Sequence, residues 1–525
     1  MPEIPGPDLP GPDGGRVARR SVLKGAAAAG LVAAAVPYGA SSAAADGAPA
    51  GDWAAFDQSV RSAFDRLQLV GAAVAVVSRA AVLHTTTLGS RQLSPRRPVT
   101  PDTAFVVASV SKPLTATMVA GYVDEGRLSW DQPVVDAWSG FRAPTDELTR
   151  TLKVRDLLNM WSGIGRDAAK DLHVSDMSAA DVVRGLVNYP VLGPPHQTYL
   201  YNNDVYALGG YLPLLAGGVP LADVGPAYHQ AMHDRLFGPA WMRSARMVTD
   251  PRTAYDDYAT GYGFDLRGRV TEIPFASDGG AAPAGAAVAS INDLAAFVRL
   301  QLRGGLSTTG ARVASAANLA DCWTPEWHET AAPGAGGDLR GVGYGLGFSR
   351  FDYRDGTQLV WHNGTLDGFT AYVGFLPQHD LGVAVVTNMN LYPTGESLQL
   401  HVISLLLEQR LGLVPGAAEK AVAAGEAQLA ALTALRSDTV AVDVKAVHPF
   451  LGFYENGYRL VREQGTLQLL VGPRRWPLAA RRDGGYLTSE GGAPGTKVML
   501  TTTADGRRRM EIDGFETVTQ VIGLP

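Results

Sequence analysis

The sequence predicts an α+β fold, an antiparallel sheet flanked by helices plus a mostly helical subdomain, followed by a small antiparallel β-barrel. Three patterns carry that expectation. A Val-rich apolar run and a second strand-like run follow an N-terminal helical period, residues 154–295 read mostly as helical segments with many loops, and strand signals return from residue 343. Strands before and after a helical stretch build one sheet from both ends of the chain. Beyond residue 445 the chain breaks into eight short strand-like runs separated by turn residues, the pattern of a small closed barrel.

In chain order, Trp53, Phe56, Val60, Phe64 and Leu67 recur at helical spacing, so a helix covers residues 53–68. Gly71–Ser78 and Ala81–Leu88 read as a strand hairpin covered on one side by that helix. A second helix is expected from Ser109 to Glu125, with Gly126 as a left-handed C-cap and Pro113 tolerated near its start. Helical segments follow at Val154–Trp161, Ala179–Val187, Asn202–Leu215 and Val224–Leu236. Ala316–Gly341 reads as a loop, mobile around Pro333–Gly337. Strands are expected at Gly343–Phe351, Gln358–Trp361, Thr370–Leu376 and Leu381–Asn388, and an amphipathic helix closes the sheet at Leu398–Leu411. The Ala/Glu/Gln-rich residues 413–445 read as a helical linker. The barrel strands are Gly452–Tyr458, Arg459–Glu463, Leu467–Val471, Arg475–Ala479, Tyr486–Ser489, Val498–Thr502, Arg508–Ile512 and Val518–Ile522, with no catalytic cluster among them.

Composition narrows the function. With 525 residues, 46% hydrophobic and 18% charged, the chain folds and exceeds one ordinary domain. A net charge of -6 gives no footprint for nucleic acid or an anionic membrane. Cys322 stands alone, which rules out an intrachain disulfide and suits a cytosolic protein or one exported already folded. Residues 1–45 point to export. A Pro- and Gly-rich start leads to Arg16, Arg19 and Arg20, an Ala-rich run Gly25–Val36, and small residues at the cleavage-type positions Ala43 and Ala45. Arg19-Arg20-Ser21-Val22-Leu23-Lys24 resembles a twin-arginine signal. The expected product is an exported protein with no stable membrane anchor after signal removal.

The chemistry is carried by three stretches. A serine hydroxyl needs a base within hydrogen-bond reach to become an acylation site, and Lys112 lies three residues after Ser109, on the same helix face. A lysine at its ordinary pKa of about 10.4 is protonated, so this reading requires burial or neighbouring positive charge. By itself S-x-x-K equally describes a polar helix start. Tyr201-x-Asn203 offers a phenol that can shuttle a proton and an amide that can hold a lysine or a substrate carbonyl, although an asparagine at a loop-to-helix junction is also an ordinary cap. His362-Asn363-Gly364-Thr365 ends a strand. There His362 would line the site as donor or relay, Gly364 would let a substrate backbone approach, and the amide after it could face an oxyanion.

Taken in order, Ser109-x-x-Lys112, Tyr201-x-Asn203 and His362-x-Gly364 resemble the serine β-lactamase-like, penicillin-recognising family, whose members include class C β-lactamases, DD-carboxypeptidases, D-aminopeptidases and esterases. The resemblance covers about residues 53–411, including Gly71–Val77, Val154–Asn159, Tyr344–Phe348 and Val385–Asn388, and the tail resembles the lipocalin-like domain of some peptidase-type members. Between the leader at 1–45 and the linker at 413–445, both read from the residues, it implies a β-lactamase/transpeptidase-like serine hydrolase domain at 46–412, and after the linker a lipocalin-like barrel at 446–525. It also implies Ser109 as acylated nucleophile, Lys112 and Tyr201 as proton-transfer pair, His362 in the catalytic set, Asn203 as the group orienting lysine and substrate, and the amides of Ser109 and Thr365 as oxyanion donors beside Gly364. The expected substrate is a small molecule or peptide, cell-wall derived or not, with no cofactor, metal or nucleic acid.

Two departures stand out. His362 replaces the lysine usual in true β-lactamases, which disfavours a dedicated antibiotic-destroying role, and Met160-Trp161-Ser162-Gly163 replaces the usual His-Thr-Ser-Gly, which is expected to reshape the packing behind the nucleophile. The function expected is hydrolysis of an amide or ester through an acyl-enzyme, most plausibly in a D-amino-acid-containing peptide. Transfer of the acyl group to an amine, as in a transpeptidase or peptide cyclase, and a non-catalytic cell-wall or β-lactam sensor are the alternatives. His229 and His233 lack the glutamate of a metalloprotease motif. Trp161, Trp241, Trp323 and Trp327 could line an apolar acyl pocket, although core packing is the commoner role of such rings except beside the loop at Trp323 and Trp327; Cys322 reads as a small buried residue, and His196 and Asp204 flank the Tyr201 stretch.

Overall fold

The computed structural model describes residues 53–165, 177–248, 250–275, 279–330, 338–389, 394–463, 465–472, 474–490, 494–513 and 516–523. The leader expected at 1–45 and the Pro333–Gly337 loop lie outside the described residues.

Helix α1 (Trp53–Arg66) buries Phe56, Val60, Ala63 and Phe64, the stripe that predicted it. Strands β1 (Gly71–Val77) and β2 (Val82–Leu93) form the expected antiparallel hairpin, with β3 (Arg96–Pro98) at its edge. Six later strands complete the sheet: β4 (Trp327–Thr330), β5 (Leu339–Tyr344), β6 (Ser349–Tyr353), β7 (Gln358–Leu366), β8 (Phe369–Leu376) and β9 (Leu381–Thr387). The order is β3-β2-β1-β9-β8-β7-β6-β5-β4, and every neighbouring pair is antiparallel. The early and late parts of the sheet thus meet at β1–β9, where Val74 faces Val385.

Both faces of β1 are covered, which is why it reads as an unbroken apolar run. Ala73, Ala75 and Val77 join one core, shared with helices α2 (Ser111–Asp124), α3 (Asn203–Ala216) and α4 (Ile291–Leu302). Ala72, Val74 and Val76 join a second core under α1, α5 (Thr394–Leu411) and α6 (Ala417–Leu435). The residues expected to be a linker therefore contain a helix, α6, packed against α5 and α1. Val422, Leu429 and Leu432 are buried there, and Arg66 pairs with both Glu419 and Glu426. Among the described residues no helix is long and apolar enough to cross a membrane.

Three local expectations change. Ala316–Gly341 is not a loop throughout. Ser315 caps a helix at Ala316–Trp323, which buries Leu319 and Cys322, and β4 and the start of β5 follow. Gly343–Phe351 is not one strand, because the chain turns at Gly345–Gly347, with Gly347 at φ 124, between β5 and β6. Val154–Trp161 condenses to a single 3-10 turn, Val154–Leu157, and Met160 at φ 60 ends any helical course.

The eight tail strands close into a ring. They run Gly452–Tyr454, Arg459–Glu463, Thr466–Val471, Arg474–Arg481, Tyr486–Thr488, Lys497–Thr502, Arg508–Ile512 and Glu516–Gly523, each antiparallel to the next, and the last pairs with the first. Leu460, Leu467, Leu469, Trp476, Val498, Met510 and Val518 fill it, as inward-facing alternate positions of a small barrel must.

Candidate active site

Ser109 is delivered by a strained approach. The strand Phe105–Val106 pairs with Ala287–Ala289, then Ala108 adopts φ 47 and a 3-10 turn, Ala108–Val110, leads into α2. The helix expected from Ser109 is thus a 3-10 turn followed by an α-helix starting at Ser111. Lys112, in the first turn of α2, stands three residues on along the same face, and its Nζ lies 3.0 Å from Ser109 Oγ. Pro113 sits within the first turn of α2, where a missing donor breaks no ladder bond. A left-handed alanine costs on the order of 1 kcal/mol, so its surroundings hold it in place.

Lys112 is fully buried. Its ammonium donates to three uncharged acceptors: Ser109 Oγ, Asn203 Oδ1 at 2.8 Å and the Ala284 carbonyl at 2.8 Å. Tyr206, one turn beyond Asn203 on α3, donates its hydroxyl to the Lys112 carbonyl at 2.8 Å. Burial holds the Tyr206 phenol well above its ordinary pKa, so it remains a donor.

Tyr201 donates its hydroxyl to Ser109 Oγ at 2.9 Å, and Lys112 Nζ stands 4.7 Å from the Tyr201 ring centre. Two asparagines divide the work at this junction. Asn202 caps α3, its Oδ1 accepting from the Asp204 and Val205 amides at 3.0 Å each, which leaves Asn203 to the lysine. The departure at Met160–Gly163, with Gly165 just after it, holds the Tyr201 stretch. Leu200 N donates to the Met160 carbonyl at 2.8 Å, and Asn202 Nδ2 to the Gly165 carbonyl at 2.9 Å. Asp204 accepts the Tyr189 hydroxyl, and His196 pairs with Asp156 at 3.3 Å while lying edge-on to Trp161.

His362 is 3% exposed, and its two ring nitrogens are engaged within the chain. Nδ1 donates to the Asn363 carbonyl at 2.5 Å, so Nε2 accepts from the Tyr344 hydroxyl at 3.2 Å. Burial first, then the nearby Lys112, lowers its pKa to about 3, which leaves an uncharged imidazole behind the site. The imidazole expected as donor or relay thus has Nδ1 committed to Asn363 and Nε2 to Tyr344. Tyr344 and Tyr199 lead on to Trp327, with ring centres 5.5 Å and 4.8 Å apart in turn.

Gly364 meets the chain's own backbone rather than leaving room for a substrate. A Cβ there would lie 2.1 Å from the Val107 carbonyl and 2.9 Å from Ser109 N. β7 thus presses on the turn that presents the serine. Beyond Trp361, β7 has no register partner on β6, which leaves residues 362–366 paired only with β8. Thr365 donates its hydroxyl to Glu396, at the start of α5, at 2.8 Å.

Ser109, Lys112, Tyr201 and Asn203 converge directly, with Gly364 against the Ser109 backbone, Thr365 next along the strand and His362 one layer behind. The Ala284 carbonyl and Tyr344 were missed. A backbone acceptor leaves no mark in a sequence, and Tyr344 stood only within a resembling stretch. Tyr206 was findable, three residues after Asn203 on one helix face. Cys322 is buried, with its thiol pushed well above the ordinary range, and among the described residues no group of three or more His, Cys, Asp and Glu is arranged to hold a metal.

The model of the Beta-lactamase family matches residues 56–407. The chain belongs to the beta-lactamase family. Among curated relatives, an unguisins hydrolase of Aspergillus campestris is 26% identical over 69% of this chain and 66% of its own length, slightly under two thirds. Penicillin-binding protein 4 of Amycolatopsis lactamdurans is 27% identical over 55% of this chain and 73% of its own. The octameric penicillin-binding protein homologue from Pyrococcus abyssi has a TM-score of 0.59 at 18% identity, covering 89% of this chain and 100% of that one, a likeness of fold. Within a beta-lactamase-family chain the closed tail barrel fits the expected lipocalin-like domain.

Proposed function

We propose that this protein is an exported serine hydrolase that forms an acyl-enzyme at Ser109 on an amide or ester, with a D-amino-acid-containing peptide as the favoured substrate class. The observation that carries the reading is that Ser109 Oγ lies 3.0 Å from the Lys112 amine and 2.9 Å from the Tyr201 phenol. In the reactive form Lys112 is neutral and takes the Ser109 proton as Oγ attacks the carbonyl carbon. The C–N or C–O bond then breaks, and the leaving group receives its proton through Tyr201. Asn203 keeps Lys112 aimed, and the amides of Ser109 and Thr365 face the developing oxyanion. Water enters by the same route in reverse and releases the acid.

The family and the relatives named hydrolase and penicillin-binding protein support acyl transfer. The uncharged His362 supports a peptidase or esterase over a dedicated antibiotic-destroying enzyme. Export rests on the Arg19-Arg20 leader.

The decisive measurement is intact mass after incubation with a penicillin, for wild type and Ser109→Ala, followed by D- and L-amino-acid amides and short-chain esters. A wild-type adduct lost in the variant, with faster turnover of D-amides, is the expected result. No adduct and no ester turnover would sink the reading, and an amide product in the presence of added amine would redirect it to acyl transfer.

A further inference from the structure

The barrel touches the candidate site at a turn. β7 ends at Leu366, and Asp367–Gly368 turns the chain into β8. Arg474, the first residue of a barrel strand, donates from Nε to Asp367 Oδ2 at 2.9 Å. Its side chain is 10% exposed and that of Asp367 21%. The other side of the turn is closed as well. Gly368, at φ 84, lies so near Gly261 that a Cβ would come within 2.5 Å of the Gly261 Cα. Gly261 leads into the hairpin of Tyr262–Phe264 and Val270–Glu272, and in its loop Leu266 N donates to the barrel's Ser489 carbonyl at 2.9 Å. The barrel therefore grips both the turn and the hairpin beneath it.

Three residues before Asp367, Gly364 bears on the Val107 carbonyl and Ser109 N. A shift of the turn is transmitted along a paired strand to the backbone that presents the nucleophile. A mostly buried guanidinium on a carboxylate is weak evidence for stability, because desolvation offsets the attraction. Its directionality fixes the relative placement of the two groups it joins.

We propose that Arg474 is a positioning residue for acyl transfer: through Asp367 it sets the β7–β8 turn, and with it the placement of Gly364 and Thr365 against Ser109. The barrel is then part of the active-site framework. This rests on the Ser109 reading above.

The test uses the full chain and four variants: Arg474→Ala, Arg474→Lys, Asp367→Asn and the double Arg474→Ala/Asp367→Asn. Penicillin adduct formation, ester kcat and KM, and melting temperature are followed for each. A misplacement of this kind is expected to lower kcat and the acylation rate about tenfold with KM nearly unchanged. The double variant should be no worse than either single one, because both break one contact, and Arg474→Lys should recover part of the loss. Should Arg474→Ala fail to fold, Asp367→Asn, which leaves the barrel sequence intact, carries the same expectation. An Arg474→Ala chain that melts lower yet keeps kcat and KM reduces the contact to a tether and overturns the proposal. A rise in KM alone, absent from Asp367→Asn, assigns Arg474 to direct substrate binding and overturns it too. A wild-type chain forming no adduct and turning over no ester overturns the serine-hydrolase reading and this proposal with it. A reactive wild type matched by equally reactive variants overturns this one alone.

Discussion

The corner around Ser109 and the interior of the tail barrel are both buried, and they are built on opposite rules. In the barrel, alternate residues such as Leu467, Leu469 and Val471 point inward, and large apolar side chains fill the space. At the corner, a lysine, a left-handed alanine and a glycine squeezed against backbone occupy comparably buried ground. Local rules hold where a region only has to be stable, and are broken together where polar groups must be held for chemistry. Changes at the corner should therefore cost rate more than stability, and changes in the barrel interior should do the reverse.

The sharpest break of that contrast is Lys112→Met, a buried change of similar length. Ester kcat/KM should fall about 10³-fold with the loss of the base, while the melting temperature stays within a few degrees; a large melting loss with rate retained would invert the comparison. Gly364→Ala comes next. Its methyl would collide with the Val107 carbonyl, so β7 and the serine turn must separate, and about a 10²-fold loss of acylation rate is expected by penicillin mass kinetics.

In the barrel, Leu460→Ala removes a fully buried side chain. A loss of about 2–5 kcal/mol is expected in denaturant unfolding, with ester kcat/KM at 25 °C unchanged while the barrel stays folded. The smallest effect concerns His362. Folding lowers its pKa to about 3 against the ordinary 6.5, so between those values the unfolded chain takes up more protons. This contribution to stability is complete above pH 6.5 and is lost as pH falls toward 3, amounting to about 2 kcal/mol at pH 5. His362→Gln should shrink the difference in unfolding free energy between pH 7 and pH 5 by about that much. An unchanged difference would mean that the imbalance arises elsewhere.

Periodicity made much of the fold legible. The continuous run at β1, the alternation in the barrel and the helical stripe of α1 each state which faces are covered, because burial dictates side-chain type at fixed intervals. The helix at Ala316–Trp323 escaped notice because its stripe is thin, with only Leu319 and Cys322 buried among small or polar neighbours. The site was legible to the extent that residue types announce themselves: a serine three residues before a lysine, a tyrosine two before an asparagine, a histidine two before a glycine.

What tertiary structure alone decided is how those types are used. Nothing local distinguishes Asn202 as cap from Asn203 as lysine partner, or shows that His362 commits its ring nitrogens to Asn363 and Tyr344. Nor does it show that Gly364 is required by the chain's own Val107 and that Arg474 reaches Asp367 from 107 residues away. The physical reason is that hydrogen-bond partners and desolvation are supplied by segments far apart in the chain. A residue's type sets what it can donate or accept, and only folding sets what stands opposite it.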